Sequence, residues 1–336
     1  MKALVTGASG FIGSTLIEEL DTLGFEVRAL MRTRSSLRSS TSLEGLKFEC
    51  IDGNLSDFSA LCKAVKGVNY IFHLAGVSSA TNRAGFFEQN TRVTERLARA
   101  VAAVGPDLTR LVFVSSLAAA GPSETLRPRV ETDEDKPVSN FGESKLRGEK
   151  ALLNFKDLFP VTIVRPPFVY GPKDKVLFKM IQTVARNFMP VLYGAGLDGH
   201  KYYSAIHSKD LCRGLVQAAV ASIQKVPSGE VFYLAADGVH TYSDLMTTIA
   251  EGLNSDPLKI NVPNFVIKAT AGALSAVGFM TRRTFPLNLD KLKELLPDYW
   301  ICSNQKAKTM LGFVPEFDFT SGMANSIAWY KKQRWL

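Results

Sequence analysis

The sequence predicts an α/β fold: a doubly wound parallel sheet followed by a smaller, mainly helical C-terminal portion. Three observations carry the prediction. Short, nearly continuous apolar runs alternate with longer amphipathic stretches through the first half, the pattern of βαβ units with both sheet faces covered. A glycine-rich turn joins the first run to the first amphipathic stretch. Beyond position 170 the alternation weakens and helical patterns take over from Leu211.

In chain order, the candidate strands are Lys2–Thr6, Glu26–Met31, Lys47–Ile51, Tyr70–Leu74, Arg110–Ser115 and Val161–Arg165, with a later one at Val231–Leu234. The helical stretches between them are Ile12–Leu23, Phe58–Lys66, Phe87–Val104 and Ser144–Phe155. Gly171-Pro172 and Gly194-Ala195-Gly196 punctuate the region after the sixth strand, with no long linker. The expected division is a sheet domain over 1–170 and a substrate-binding portion over 171–336 that returns partly to the sheet, with a cleft between them.

With 46% hydrophobic and 21% charged residues, the 336-residue chain reads as an ordinary globular protein with ample length for a core. Part of the +8 net charge is local, in Arg28, Arg32, Arg34 and Arg38. Such a cluster suits a phosphate or simply a solvated face. The basic residues lack interleaved aromatics, so no nucleic-acid partner is expected. Four scattered histidines and four cysteines without ligand spacing indicate no metal site, and buried thiols in a reducing compartment. Ala3-Leu4-Val5 reads as strand from the start, without a leader pattern, which predicts a cytoplasmic protein. The apolar stretch Phe265 to Met280 holds Lys268, precedes Arg282 and Arg283, and falls short of the ~20 residues a membrane span needs. It is expected to pack over the substrate site, with peripheral membrane contact as the other reading.

Thr6-Gly7-Ala8-Ser9-Gly10-Phe11-Ile12-Gly13 follows a predicted strand and opens a predicted helix. In that context the glycine spacing marks a Rossmann-type dinucleotide site. One glycine makes the tight turn, one lets backbone approach a pyrophosphate, and one lets helix pack on strand. The helix N-terminus then favours the anion. The second strand should end in Asp or Glu if it binds a ribose 2′-hydroxyl, but Met31 stands there, followed by Arg32 and Arg34. Guanidinium suits a 2′-phosphate, so NADP is expected rather than NAD.

Further segments give the whole chain a resemblance to the extended short-chain dehydrogenase/reductases, the NAD-dependent epimerase/dehydratase type. They are Gly53-Asn54-Leu55-Ser56-Asp57, His73-Leu74-Ala75-Gly76, Asn90, Val114-Ser115-Ser116, Arg165-Pro166-Pro167-Phe168-Val169-Tyr170-Gly171-Pro172 and Leu311-Gly312-Phe313-Val314-Pro315. Asn54 stands where Asp is usual. The C-terminal half is closer to the hydroxysteroid dehydrogenase and dihydroflavonol reductase branch than to the nucleotide-sugar branch. The motif and the resemblance together imply cofactor contacts from Gly7, Ser9, Gly10, Phe11, Ile12, Gly13, Arg32, Asn54, Leu55, Leu74, Ala75, Gly76, Asn90, Ser115, Lys145, Pro167, Phe168 and Val169. They also imply a homodimer paired through Phe87–Val104 and Ser144–Phe155. His207 resembles a strand-to-helix junction residue with a structural hydrogen bond.

The resemblance also implies a catalytic set: a Tyr-x-x-x-Lys pair on one helical face, and a hydroxyl that steadies the substrate oxygen. Ser116 fits the hydroxyl and Lys145 the lysine, but Phe141 occupies the tyrosine's place. Phenylalanine carries no exchangeable proton. Four readings stand open. The proton comes from a water held by Ser116 and Lys145, or from a carboxylate within Glu131–Asp135. The protein is a cofactor-binding sensor or interaction protein. Phe141 was introduced to trap a complex. Or Tyr170 has taken over. The activity expected is reversible oxidation–reduction of a hydroxyl or ketone on a small apolar or sugar-like molecule, contacted by loops around 77–86, 122–136 and 173–202.

Overall fold

The computed structural model describes residues 1–31, 43–105, 107–192, 194, 199–281, 285 and 287–336. The first half runs β1 (Lys2–Thr6), α1 (Phe11–Thr22), β2 (Glu26–Met31), β3 (Glu49–Asp52), α2 (Phe58–Val65) and β4 (Tyr70–His73). Then come α3 (Arg83–Phe86), a π-helical turn (Phe87–Arg92) and α4 (Val93–Val104), followed by β5 (Arg110–Val114), α5 (Leu117–Ala120), α6 (Asn140–Leu153) and β6 (Val161–Val164). The second half holds β7 (Phe168–Tyr170), α7 (Lys175–Ala185), β8 (Phe188–Val191), β9 (Tyr202–Tyr203), β10 (Ala205–His207), α8 (Ser208–Val220) and β11 (Glu230–Phe232). It closes with β12 (His240–Thr241), α9 (Tyr242–Leu253), β13 (Leu258–Asn261), α10 (Asn264–Thr281), α11 (Leu289–Leu295), β14 (Tyr299–Trp300), α12 (Gln305–Leu311) and α13 (Phe319–Lys332).

Seven parallel strands form the central sheet in the order β11-β6-β5-β4-β1-β2-β3. The chain builds outward from β1 to β3, then returns and builds the other way from β4. The crevice between β1 and β4 is therefore the point where the strand order reverses, the place where open α/β sheets bind ligands.

Alternation sends successive side chains to opposite faces. Ala3, Val5, Val27 and Ala29 pack with Leu16, Ile17 and Leu20 of α1 and Leu211 and Leu215 of α8. Leu4, Leu30 and Ile71 pack with Leu61 of α2, Leu97 and Val101 of α4 and Leu152 of α6. A separate small core under α7, α9 and α13 joins Ile181, Ile249, Met323 and Tyr330. The stretch after 170 thus supplies its own core, and also returns α8 and β11 to the sheet.

Local chemistry shifted several boundaries. The third strand begins at Glu49 rather than Lys47. The helix expected over Ser144–Phe155 begins at Asn140, because Ser139 caps it by accepting the Gly142 N–H at 3.0 Å. The helix expected from Phe87 begins at Arg83, capped by Asn82, and passes through the π turn. The C-terminal portion contains strands of two to four residues among its helices, too short for a period of two to show in sequence.

Candidate functional site

The glycine loop joins the carboxyl end of β1 to α1. Gly7 has φ +74°, and a Cβ there would fall 2.8 Å from the Ala75 backbone nitrogen. A Cβ on Gly13 would overlap the Gly7 carbonyl, so glycine permits the close seating of α1 on the loop. Gly10 is the N-cap of α1 and has no side chain to accept from the helix's first N–H groups. A helix start leaves such donors without intrahelical partners. Ser9 and Gly10 are exposed, and Phe11 and Ile12 half-buried. Together these features fit a bound pyrophosphate: a cradle that Cβ atoms would fill and an uncapped positive helix end.

The residues expected to meet the adenosine lie at the ends of β2 and β3. Met31 is buried, and its carbonyl accepts the Gly53 N–H at 2.8 Å. Asn54 Oδ1 accepts from the Ser56 and Asp57 N–H groups, holding the turn with Leu55 inside it. Arg32, Arg34 and Arg38 lie outside the described residues. Arg28, grouped with them by sequence, has a structural task. It is buried on β2, donates to the Ala64 and Lys66 carbonyls at the end of α2, and pairs with Glu49 at 3.0 Å. Its place on β2 turns it to the sheet face opposite Ala29, away from any phosphate.

Leu74, Ala75 and Gly76 leave the end of β4 beside this loop. Thr6 Oγ1 and His73 Nδ1 share a 2.7 Å hydrogen bond, and the Ala75 N–H donates to Thr6 Oγ1 at 3.3 Å. Burial, with the Lys145 cation second, lowers the His73 pKa to about 3, so this ring is a neutral strut. Asn90, in the π turn, is fully engaged with protein. Its amide donates to the Val77 carbonyl and Ser144 Oγ, and its carbonyl accepts the Val77 N–H at 2.8 Å. It ties the 74–77 loop to α6.

Ser115 and Ser116 follow directly on β5, and α6, which carries Phe141, brings Lys145 to the end of that strand. Ser116 caps α5, accepting the Ala118 N–H at 3.1 Å, and is partly exposed, which leaves its hydroxyl proton available to a substrate oxygen. Lys145 is buried. Its Nζ donates to the Val114 carbonyl at 2.7 Å and lies 4.3 Å from the centre of the Phe113 ring. Nζ also approaches Gly76, whose hypothetical Cβ would lie 3.8 Å away. Burial, opposed by Glu149, lowers the Lys145 pKa to about 8. Phe141 sits one turn earlier on α6, half-buried, with its ring 6.3 Å from that of Phe86.

Behind this cluster lies a buried ion network. Arg165 Nη1 and Nη2 bind both Asp135 oxygens at 2.6 and 2.9 Å. Its Nε and Nη2 reach Glu149 at 2.9 and 2.6 Å, and Ser115 Oγ donates to Glu149 Oε1. Burial works against the Arg165 charge, but hydrogen bonds to Glu149 and Asp135 raise its pKa above the ordinary range. Ser115 therefore belongs to the support of the site. Pro167, Phe168 and Val169 follow on, half-buried, with the Pro166 carbonyl accepting the Leu117 N–H at 2.9 Å.

Sequence reasoning missed Glu149, and it named Asp135 only among the carboxylates of Glu131–Asp135 that could supply a proton, not as a partner of Arg165. The only available signal was that Glu149 follows Lys145 by four residues on one helix face. It also missed α11, which grips the start of α6 from far along the chain. Asp290 accepts the Asn140 N–H at 2.7 Å and the Phe141 N–H at 3.2 Å, and Ser139 donates to Glu294 at 2.6 Å. A carboxylate at a helix N-terminus is favourable. It is α11 that reaches α6; α10 packs on α11, with Ser275 Oγ accepting the Leu289 N–H at 2.8 Å.

Both kinds of replacement side-chain proton donor considered from sequence are engaged with other partners. Tyr170 is fully buried, donates to the Asp318 carbonyl at 3.3 Å, and has its pKa raised by burial. Within Glu131–Asp135, Asp133 pairs with Arg127, the exposed Glu134 with Lys136 at 3.3 Å and Asp135 with Arg165, while Glu131 accepts the Tyr233 N–H at 2.9 Å. His207 caps α8 through Nδ1, and burial lowers its pKa to about 4, so it is structural as expected.

The glycine loop at β1, the 74–76 loop at β4 and the serine–lysine cluster at β5 share one sheet edge, and define a nicotinamide-dinucleotide-dependent protein. The chain belongs to the NAD dependent epimerase/dehydratase family, whose model matches residues 3–235. It is 31% identical over 333 residues to a ceramide reductase of Caulobacter vibrioides, covering 99% of this chain and 95% of that one. It is 28% identical to 4-hydroxy-2-methyl-3-oxo-4-farnesyl-3,4-dihydroquinoline-1-oxide ketoreductase of Stigmatella aurantiaca, covering 81% and 78%. The fold is shared with MoeE5, solved with UDP-glucose and NAD, at a TM-score of 0.78 and 23% identity over 99% of this chain and all of that one.

Proposed function

We propose that the protein is an NADP-dependent oxidoreductase that interconverts a ketone and a hydroxyl on a lipophilic substrate, with proton transfer altered by Phe141. The observation that carries this reading is the buried Lys145, whose Nζ donates to the Val114 carbonyl at the end of β5 and approaches Gly76, with Ser116 following two residues after Val114 as the N-cap of α5. The relatives named as ceramide reductase and farnesyl-quinoline ketoreductase favour an apolar ketone over a sugar. Met31 in place of a carboxylate, with Arg32 and Arg34 next in sequence, favours NADP.

The dinucleotide, when bound, supplies or accepts the hydride. Ser116 donates to the substrate oxygen and orients it. Lys145 holds the nicotinamide ribose. With no phenol at 141, the proton reaches the substrate oxygen from a water held by Ser116 and Lys145. With its pKa near 8, Lys145 is charged at neutral pH and can support that water.

The pH dependence follows. Lys145 holds its proton below pH 8 and loses it above, weakening its grip on the ribose. NADPH affinity is therefore expected to fall by up to about tenfold between pH 7 and pH 9, and Lys145→Ala should abolish that dependence in fluorescence titrations.

A second reading, a dinucleotide-binding sensor without turnover, is favoured by Phe141 alone. NADPH consumption against long-chain ketones and UDP-sugars separates the two. The oxidoreductase reading expects slow consumption with the ketones, lost in Lys145→Ala. Tight NADPH binding with no consumption in any case would establish the sensor.

A further inference from the structure

We infer that α10 and the adjoining β8–β13 ribbon form a docking face for an anionic lipid surface. The assignment stands on this face alone and does not depend on the reaction proposed above.

A helix that is apolar all round is normally buried on every side. α10 is not. Its only buried positions among those described are Ala271 and Gly278, on the side of the helix that carries Ser275, which bonds α11. Phe265 is 72% exposed, Val277 44% and Met280 79%, and Ala269, Ala273 and Ala276 lie exposed between them. Exposed apolar residues also lie on the strand that precedes the helix in sequence. Leu258 (62% exposed) pairs directly with Phe188 (49% exposed), and Ile260 lies on the same side of β13. Exposed apolar surface of this kind marks an interaction site.

Charge identifies the occupant. No Asp or Glu occurs between Asp256 and Asp290, whereas Lys259, Lys268, Arg282 and Arg283 do. Of the cations here, Lys259 and Lys268 are exposed within the patch, and Arg186 is exposed just before β8; Arg282 and Arg283 lie outside the described residues. An apolar surface set among cations matches a bilayer interface carrying anionic headgroups. A protein partner or a second copy would have to place apolar side chains and carboxylates together. No helix among the described residues is long and apolar enough to cross a membrane, so the helix would lie on the surface.

Cosedimentation of the full chain with vesicles tests this. The chain should bind phosphatidylcholine vesicles containing phosphatidylglycerol, less so at high salt, and bind pure phosphatidylcholine weakly. Phe265→Ser/Met280→Ser should lower the bound fraction about tenfold, and Lys259→Glu/Lys268→Glu should remove the preference for phosphatidylglycerol. Circular dichroism melting checks that both variants stay folded. Absence of binding to the anionic vesicles, or variants that bind like the parent, would overturn the assignment. So would a dimer in light scattering that Phe265→Ser/Met280→Ser dissociates without any vesicle binding, since the face would then belong to a second copy.

Discussion

Phe141→Tyr is expected to raise the turnover of ketone reduction by about 10²-fold or more. A positioned general acid contributes about 10²–10⁴ in rate, and the proposed function assigns Ser116 and Lys145 the remaining roles. Phe141 lies in the first turn of α6, four residues before Lys145, with its ring half-buried rather than sealed. The added phenol would stand beside a lysine whose ammonium lowers phenol pKa. The increase should appear in kcat, with NADPH affinity nearly unchanged, because the dinucleotide contacts are untouched. Steady-state kinetics of the two proteins on one ketone are the check. Equal rates would mean that the proton already arrives as fast by the water route, and that residue 141 is irrelevant to the chemistry.

The second large effect concerns stability. Arg165→Met is expected to cost about 3–5 kcal/mol, because it leaves two carboxylates without their cation in a buried setting. Glu149 is almost fully buried and Asp135 mostly so, and Arg165 satisfies both in forked geometry. Urea denaturation reads the loss directly. Adding Glu149→Met to Arg165→Met should cost less than the sum of the two single changes, since no unpaired buried charge then remains at residue 149. A loss below about 1 kcal/mol for Arg165→Met would show that water reaches the network and screens it.

The sheet was largely legible in the sequence because its strands are buried on both faces and so read as unbroken apolar runs. The glycine loop was legible because its chemistry is local: a tight turn, a close approach and a helix start within eight residues. Long-range arrangements were not. Asp290 caps the helix that begins at Asn140, and no local pattern joins residues so far apart. Arg28 looked like part of a phosphate cluster by proximity in sequence, but strand alternation directs it to the end of α2. Asn90, expected to touch the cofactor, also links Val77 to Ser144 of α6, a long-range tie that no local pattern marks. The apolar segment 265–280 was expected over the substrate site. Periodicity could not say which side of an all-apolar helix would be left exposed.

The central claim is that the glycine loop and Lys145 hold a nicotinamide dinucleotide with a 2′-phosphate. Titrating NADPH and NADH against the purified protein by cofactor fluorescence tests it most directly. The account predicts binding of both, with NADPH favoured by about tenfold, or about 1.4 kcal/mol. If neither cofactor binds, the loop between β1 and α1 is a structural turn, and the oxidoreductase reading falls with it.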